Sequence, residues 1–264
     1  MASGPVSPLL LERYELKYLI PFSMVQPISD YVSAFCELDY YSQIEPDNFY
    51  LINSLYFESP TFHFMRAKEN DTAKFSLRVR SYGNEPKAPY FFETKEKVAE
   101  FCKKRRGKVN LENWSDIFLN PNNLGDFDIS RDKHLEHFLN QALYYNAHPM
   151  ILSQYRRKAY LSTIDDYARV TFDKSLRFMR ETNYNVKPVE SMMTSYDHCD
   201  SFNDPGSNVI LELKCERKVP VWIVNLIQKF QLTRRGFSKF ESSMLEAYSL
   251  KPNEALTFDR IPGY

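Results

Sequence analysis

Three short stretches of the chain place a glutamate and a lysine two residues apart inside an otherwise apolar run. The pairs are Glu15 with Lys17, Glu93 with Lys95, and Glu212 with Lys214. Residues i and i+2 of a β-strand point to the same side of a sheet, so each pair presents both charges on one face. Such a face can bind an anion through its ammonium groups and a divalent cation through its carboxylate.

Arginines follow the same alternation in neighbouring stretches. Arg78 and Arg80 alternate with Leu77 and Val79 in FSLRVRSY, and Arg169 stands in the alternating stretch YARVTFD. The planar fork of arginine matches two phosphate oxygens at once. If the charged faces line the inside of a curled sheet, their repulsion and desolvation are tolerable only when a polyanion or its water lies among them. The alternative is a solvated outer face with cross-strand ion pairs.

Composition excludes several classes of protein. The 264 residues carry 34 basic and 34 acidic side chains, so the net charge of zero does not favour a nucleic-acid binder. The four cysteines form no CxxC pair, which argues against a disulfide framework or a zinc site. No apolar run reaches about 18 residues, and the first residues lack the features of a signal peptide. We therefore expect a cytoplasmic protein without a membrane span.

Alternation and helical spacing predict the order of elements. Strands are predicted at 12–20, 49–57, 73–82, 89–97, 149–162, 167–173 and 207–216, and helices at 22–36, 133–145, 219–232 and 239–249. The segment 98–110 is predicted to be either a further strand or a mobile basic loop, and 180–206 is predicted to be a loop. Together they indicate an α+β fold, a closed antiparallel tunnel of eight strands with flanking helices, forming a single domain over 1–264 with short tails.

The charged strands resemble those of the VTC domain, the catalytic domain of the vacuolar transporter chaperone complex, within the triphosphate tunnel (CYTH-like) superfamily. The likeness spans nearly the whole chain, and its motifs occur in the family's order. They are RYELKY at 13–18, SLYFES at 54–59, SLRVRSYG at 76–83, FFETK at 91–95, RRKAY at 156–160, ARVTFD at 168–173, VILELK at 209–214 and GFSKF at 236–240. The resemblance implies an eight-stranded tunnel that makes inorganic polyphosphate from ATP with Mn²⁺ or Mg²⁺.

The resemblance also implies roles for individual residues. The expected catalytic phosphate ligands are Arg78, Arg80, Lys95, Arg157, Arg169 and Lys214. Further substrate-binding residues are expected at Lys17, Arg66, Ser238 and Lys239, and Glu212 is expected to bind the metal. The implied partners are ATP and inorganic polyphosphate, without nucleic acid, and a membrane-protein partner stays open.

Two departures from the family pattern bear on the activity. A basic residue is usual two positions before Ser238, where this chain has Gly236; Arg234 or Arg235 is a candidate to replace it. The simpler triphosphatases of the superfamily carry ExExK in the first strand, where this chain has Arg13 in place of the first glutamate. The missing carboxylate favours a polymerase over a two-metal triphosphatase. Hydrolysis of triphosphates, binding of polyphosphate without turnover, and a purely structural barrel remain as alternatives.

Two further features allow both a functional and a structural interpretation. The basic run KKRRGKV at 103–109 is either a solvated loop or an electrostatic funnel at the tunnel mouth. The adjacent tyrosines at 40–41 and at 144–145 are interpreted as packing residues in preference to base-stacking sites.

Overall fold

The structure is a computed structural model that describes residues 13–69, 74–98, 101–197, 208–216, 218–235 and 237–248. The tail predicted at the C-terminal end and the position of Gly236 lie outside these residues. No helix in these ranges is long and apolar enough to cross a membrane.

One antiparallel sheet dominates the fold. Its strands are β1 (Arg13–Ile20), β2 (Cys36–Leu38), β3 (Tyr50–Glu58), β4 (Lys74–Tyr82), β5 (Tyr90–Val98), β6 (Phe101–Val109), β7 (His148–Ser162), β8 (Ala168–Arg180), β9 (Thr194–Ser195) and β10 (Val209–Glu216). Eight of them form a continuous path in the order β1-β10-β8-β7-β3-β4-β5-β6, and the short β2 and β9 pair with β7 and β8. The eight-stranded antiparallel sheet predicted from the alternation is therefore present.

The predicted closure of the sheet is wrong. In the described residues β1 and β6 are the ends of the path and do not pair with each other, so the sheet is curled but open. The backbone of the segment at 234–235 lies along the free edge of β1 instead: Arg235 N–H donates to the Lys17 carbonyl at 3.0 Å, and Tyr18 forms an isolated bridge with Arg234. This segment blunts the exposed edge of β1 without completing a barrel.

Helices flank the sheet. They are α1 (Val25–Val32), α2 (Tyr40–Ile44), α3 (His63–Glu69), α4 (Asp116–Leu119), α5 (Lys133–Tyr144), α6 (Val221–Lys229) and α7 (Lys239–Ala247). Leu55, Leu77 and Phe92 on β3, β4 and β5 belong to the same buried core as Leu135 and Phe138 of α5.

A second core lies on the outer face of the other half of the sheet. Val170 and Leu211 on β8 and β10 pack in one cluster with Ile28 of α1 and Ile223 of α6, and all four side chains are fully buried. Because the apolar residues of the alternating strands point outward into these two cores, their charged neighbours must point into the curl.

Gly107 marks the closest approach between a helix and the sheet. A Cβ atom at this position of β6 would lie 2.8 Å from the backbone of Leu135 in α5. A side chain at residue 107 would push α5 away from β6, so the basic run 103–109 contains the one residue type that lets the helix rest directly on the strand. The segment 98–110 is thus strand β6 between Phe101 and Val109, which decides between the two predictions made for it.

Strand β8 is longer than predicted, because it continues to Arg180 and not only to residue 173. The alternation changes phase at Ser175, whose φ of 53° lies in the left-handed region. Opposite it, the register between β7 and β8 shifts between Gln154 and Arg156. A bulge of this kind breaks the period-two pattern from which the strand was predicted.

Candidate functional site

Charged side chains from the strands and from α7 converge inside the curl. Within the described ranges, nine cations lie within 4.0 Å of four carboxylates there. The cations are Lys17, Arg78, Arg80, Lys95, Lys104, Arg106, Arg157, Lys214 and Lys239, and the carboxylates are Glu15, Glu93, Asp173 and Glu212. The interior therefore carries an excess of positive charge, as expected from the alternating strands.

Four of the cations surround a single carboxylate, and we call this group the Glu93 cluster. It consists of Glu93 on β5, Arg78 and Arg80 on β4, and Lys104 and Arg106 on β6. The guanidinium of Arg78 lies 2.6 Å from Glu93 Oε2, Lys104 Nζ lies 2.8 Å from Oε1, and Arg106 Nε donates to Oε1 at 2.7 Å. Arg80 is more distant, 3.6 Å from Oε2.

Electrostatics in the Glu93 cluster are governed by burial and by the imbalance of charge. Burial alone would raise the pKa of Glu93, but the four cations lower it well below its usual range. Burial lowers the pKa of Lys104, and repulsion from the three arginines lowers it further, against the attraction of Glu93. Since the carboxylate is fully ionised and already shared, an added anion would find unmatched positive charge here.

The remaining inner charges form the Glu212 cluster, which is richer in carboxylates. It consists of Glu15 and Lys17 on β1, Lys95 on β5, Arg157 on β7, Asp173 on β8, Glu212 and Lys214 on β10, and Lys239 of α7. The shortest pairs are bidentate Arg157 to Asp173 at 2.6 and 2.7 Å, Lys239 to Asp173 at 2.7 Å, and Lys214 to Glu212 at 2.8 Å.

One ion pair of this cluster crosses the open side of the sheet. Lys95 Nζ on β5 lies 3.0 Å from Glu15 Oε2 on β1, although these strands are far apart along the sheet path. The curl is therefore tight enough for side chains to bridge it where the backbone does not close. The predicted phosphate ligands Lys17, Lys95 and Lys214 meet around Glu15 through this contact.

Buried carboxylates of the Glu212 cluster stay ionised. Burial would raise the pKa of Glu212, but Lys214, Lys239, Lys17 and Arg157 lower it well below its usual range. The same balance holds for Asp173, whose pKa Arg157 and Lys239 lower. For Lys17, burial is the larger effect and lowers the pKa despite the nearby glutamates.

Arg80 has bonding capacity that the protein leaves unused. It is only 5% exposed, yet its buried Nε has no hydrogen-bond partner in the described part of the chain. Its terminal nitrogen donates to the Tyr155 hydroxyl at 3.4 Å, a long contact. A guanidinium held this way can direct a strong N–H donor at an oxyanion without first losing a partner.

Helix α7 enters the curl with its N-terminus and brings Lys239 with it. Ser238 is its N-cap and accepts a hydrogen bond from the Glu241 backbone, while Lys239 is buried between Asp173 and Glu212. Lys17 Nζ donates to the Phe237 carbonyl at 2.9 Å, which ties β1 to this turn. The backbone N–H groups at the start of a helix favour an anion. Ser238 and Lys239 thus lie where the resemblance implies, and their role in binding phosphate stays a prediction.

Arg169 lies at the edge of the group. The register pairs it with Lys214 and so places it on the inner face, where its guanidinium donates to Asp39 at 3.0 Å. Its Nε is also buried without a partner in the described part of the chain. The structure therefore brings Arg169 to the same face as the other predicted ligands but into contact with a carboxylate that the sequence did not indicate.

Arg66 is the predicted ligand that does not come from a strand. It lies half-buried on α3, directly after β3. The start of this helix is fixed by the end of the motif SLYFES: Glu58 accepts from the backbones of Phe64 and Met65 at 2.9 Å, and the Ser59 hydroxyl accepts from His63 at 2.8 Å. The motif positions α3, and whether Arg66 binds phosphate stays a prediction.

Arg234 is one candidate for the missing basic residue before Ser238. It pairs with Tyr18, which belongs to the outer core, and it influences the pKa of the Tyr18 hydroxyl. Both Arg234 and Arg235 are exposed. That Arg234 or Arg235 takes over the role of the missing basic residue stays a prediction.

A divalent metal could be held here only with help from a ligand. No group of three or more histidine, cysteine, aspartate or glutamate side chains suited to a metal exists among the described residues. Glu212 fits as a single protein ligand, because only Lys214 is within hydrogen-bond distance of its oxygens among its cationic neighbours. Magnesium-type ions are commonly bound by one or two carboxylates together with substrate phosphates and water. The donor set fits that mode.

Sequence reasoning missed several residues of the site. Lys104 and Arg106 were hidden in the basic run, although their period-two spacing before Lys108 was a usable signal. Glu15 and Glu93 lie on the predicted charged faces but have no individual predicted role, and the alternation in YARVTFD puts Asp173 on the same face as Arg169. Most of the cations that pair with these carboxylates come from other strands, and a local sequence pattern cannot identify ion pairs between strands.

Comparison with known proteins agrees with this picture at the level of family. The model of the VTC domain family matches residues 12–248, which is most of the chain. No sequence among the curated proteins matches.

Solved structures give weaker similarity. The PH1819 protein from Pyrococcus horikoshii is 8% identical with a TM-score of 0.43, covering 88% of this chain and 96% of its own. A proposed adenylate cyclase from Bacillus halodurans is 11% identical with a TM-score of 0.44, covering 86% and 96%. The Mimivirus capping enzyme triphosphatase is 13% identical with a TM-score of 0.27, covering 83% and 89%. The family assignment therefore depends on the sequence match.

Proposed function

We propose that this chain, which belongs to the VTC domain family and so to the triphosphate tunnel superfamily, is an inorganic polyphosphate polymerase. The donor is ATP, the acceptor is the end of a polyphosphate chain, and the reaction takes place among the inner charges of the curled sheet. The observation that supports it most is the charge imbalance on the inner face, where nine cations face only four carboxylates. Two apolar cores shield this face. An ATP donor also fits the cytoplasmic location predicted from the sequence.

The chemistry needs positioning and charge more than a covalent nucleophile. A terminal oxygen of the acceptor chain forms a bond to the γ-phosphorus of ATP, and the bond from that phosphorus to the bridging oxygen of ADP breaks. Negative charge shifts to the leaving ADP during this step. Arg78 and Arg80 in one cluster and Arg157 in the other hold and stabilise that charge, since their donors are already oriented by neighbouring strands.

A divalent ion, Mn²⁺ or Mg²⁺, would neutralise phosphate charge when bound, with Glu212 as its protein ligand. Glu212 itself is kept ionised by its cationic neighbours. Glu15 lies on the adjacent strand and shares Lys17 and Lys214 with Glu212, so it can balance the charge that these lysines carry.

One observation favours a phosphate acceptor over water. Each of the four inner carboxylates is paired with at least two cations, and their pKa values are lowered, which makes them poor bases for activating water. A phosphate oxygen is already anionic and needs no base. Hydrolysis of triphosphates, or binding without turnover, is the alternative.

Incubating the protein with ATP and Mn²⁺ or Mg²⁺ and sizing the products on a gel tests the proposal. We expect long polyphosphate chains, with one ADP released for each phosphate unit added to them. If the products are inorganic phosphate and ADP without polymer, the protein is a hydrolase and not a polymerase. Binding of tripolyphosphate without release of ADP would reduce the protein to a binding module.

A further inference from the structure

Four aromatic rings line the end of the curl opposite α7, and we call them the aromatic mouth. They belong to Tyr41 on α2, Tyr50 on β3, Tyr82 on β4 and Phe91 on β5. The rings of Tyr41 and Tyr82 are stacked, with centroids 5.3 Å apart and planes 4° apart. Tyr50 lies 5.5 Å from Tyr41, and Phe91 meets Tyr82 edge-on at 5.8 Å.

The two ends of the curl differ in what occupies them. At the other end, Phe240 of α7 packs on Tyr56 with ring centroids 5.2 Å apart, and Met244 is fully buried. Tyr56 lies on the same face of β3 as Tyr50, six residues further along. Helix α7 therefore fills one end of the curl, and a ligand entering from the other end passes the aromatic mouth first.

The aromatic mouth borders the Glu93 cluster, because Phe91 lies directly opposite Arg80 across β4 and β5. Tyr82 follows Arg80 by two residues and Phe91 precedes Glu93 by two, so each lies on the same strand face about 7 Å from its charged neighbour. Arg106 also connects the mouth to the cluster, because its guanidinium lies 4.9 Å from the centre of the Phe91 ring. Arg80, the cross-strand neighbour of Phe91, is buried, and its Nε has no hydrogen-bond partner in the described part of the chain.

Tyr41 is held firmly but stays accessible. Asp39 caps α2 through the Ser42 backbone at 2.9 Å, and its other oxygen accepts from Arg169 at 3.0 Å and from the Tyr50 hydroxyl at 3.3 Å. Despite this anchoring, Tyr41 is 44% exposed. The packing role expected from the sequence accounts for the face of the Tyr41 ring that stacks on Tyr82. It does not account for the exposed part of the same ring.

We infer that the aromatic mouth stacks the nucleobase of the donor triphosphate and directs its phosphates toward the Glu93 cluster. The inference rests on the proposed function, since it concerns the nucleotide of that reaction. In a nucleotide one ribose separates the base from the α-phosphate, which matches aromatic rings that lie next to charged side chains on the same strands. Stacking uses the π-face that every base has, so the mouth distinguishes a nucleotide from inorganic polyphosphate but not one base from another.

The test compares ligands with and without a base. Calorimetry without added metal measures binding of the β,γ-imido analogues of ATP and GTP and of inorganic tripolyphosphate to the wild type, Tyr41→Ala, Tyr41→Phe and Tyr144→Ala. Tyr144 is a matched control, because it is 79% exposed and lies on α5, away from the mouth. We expect Tyr41→Ala to weaken both nucleotide analogues about 5- to 150-fold, the range for loss of one stacking contact, and to leave tripolyphosphate unchanged.

The other variants sharpen the result. Tyr41→Phe keeps the ring and should bind as the wild type does, and Tyr144→Ala should change nothing. Equal weakening of nucleotides and tripolyphosphate by Tyr41→Ala, or no weakening of either, would overturn the inference while the proposed function stands. If the wild type binds neither kind of ligand, with or without added Mg²⁺, the proposed function fails and the inference falls with it.

Discussion

The two halves of the inner face hold comparable numbers of cations but balance them differently. In the Glu93 cluster four cations share one carboxylate, which leaves three positive charges in excess. In the Glu212 cluster five cations share three carboxylates, which leaves two. The positive charge of the Glu212 cluster is thus more nearly balanced by its own carboxylates than that of the Glu93 cluster.

This difference suggests a division of labour between the halves. A phosphate placed beside Arg78 and Arg80 would reduce repulsion that Glu93 alone cannot cancel. A metal placed beside Glu212 would compete with Lys214 and Lys239 for its oxygens. Both lysines also pair with a second carboxylate, Glu15 for Lys214 and Asp173 for Lys239. The Glu93 cluster is accordingly the half that an anion completes, and the Glu212 cluster is the half that can take up a metal.

The largest expected effect comes from removing the single carboxylate of the first half. Glu93→Gln should lower the free energy of unfolding by about 3–5 kcal/mol, because it leaves buried Arg80 and half-buried Arg78 facing each other without the carboxylate that they share. The measurement is urea denaturation at neutral pH. Tripolyphosphate should restore much of the loss, since it binds only the folded state.

Glu190→Gln is the control for this comparison. Glu190 also pairs with an arginine, Arg177 at 2.6 Å, but its side chain is 72% exposed, so the change should cost no more than about 1 kcal/mol. If Glu93→Gln is as stable as Glu190→Gln without ligand, the cluster does not depend on its carboxylate.

The matching change in the second half should act on turnover and spare binding. Glu212→Gln should reduce metal-dependent polymer formation about 100-fold or more, because an amide cannot supply the anionic oxygen that a divalent ion prefers. Tripolyphosphate binding without metal should hold or strengthen, since a negative charge is lost. Glu37→Gln, at an exposed position of β2, is the control. Full turnover by Glu212→Gln would place the metal elsewhere.

Much of this arrangement was predictable, because the alternation of charged and apolar residues along a strand shows which side chains share a face. Arg78 and Arg80 alternate with buried Leu77 and Val79, and the structure places the first pair inside the curl and the second in the outer core. The same reasoning correctly predicted the antiparallel sheet and the inner position of Glu212.

What the sequence could not predict depended on contacts between distant segments. The edge of β1 that would pair with β6 in a closed sheet is contacted instead by the segment at 234–235, more than 200 residues away in sequence. On β6 the outward residues Lys103 and Arg105 are as basic as the inward ones, so the usual alternation of apolar and polar residues is absent there. Asp173 gains Lys239 only because α7 folds back into the curl.

The basic strand β6 offers a finer test of which face binds the anion. Lys104 points inward to Glu93, while its neighbour Lys103 is exposed on the opposite face. Lys104→Gln should weaken binding of tripolyphosphate by about 1 kcal/mol or somewhat more, the range for a hydrogen bond to a charged group, reduced because this side chain is 40% exposed. Lys103→Gln should leave the calorimetric affinity unchanged. Equal losses would mean a general attraction to a basic strand.

The smallest expected effect is the response of stability to pH. Burial lowers the pKa of Lys17 and of Lys104, so both lysines lose their protons in the folded chain at a lower pH than in the unfolded chain, where the pKa is about 10.4. Stability from these lysines therefore rises with pH.

Other groups limit the pH range in which this rise can be measured. The inner carboxylates have lowered pKa values, so they are ionised in both states above about pH 6 and contribute no slope there. Burial raises the pKa of the thiols of Cys36 and Cys215, which opposes the rise near pH 8.5 and above.

We expect the thermal midpoint to increase by a few degrees between pH 7 and 8.5 without ligand, where about 2–4 °C corresponds to 1 kcal/mol in a protein of this size. Lys104→Gln should show a smaller slope, and taking the difference between the two proteins cancels the thiols. Tripolyphosphate should flatten the slope of the wild type, because a bound polyanion keeps both lysines protonated. A midpoint that falls with pH in the ligand-free wild type, with the same slope in the variant, would mean that the Glu93 cluster carries no unbalanced charge for an anion to neutralise.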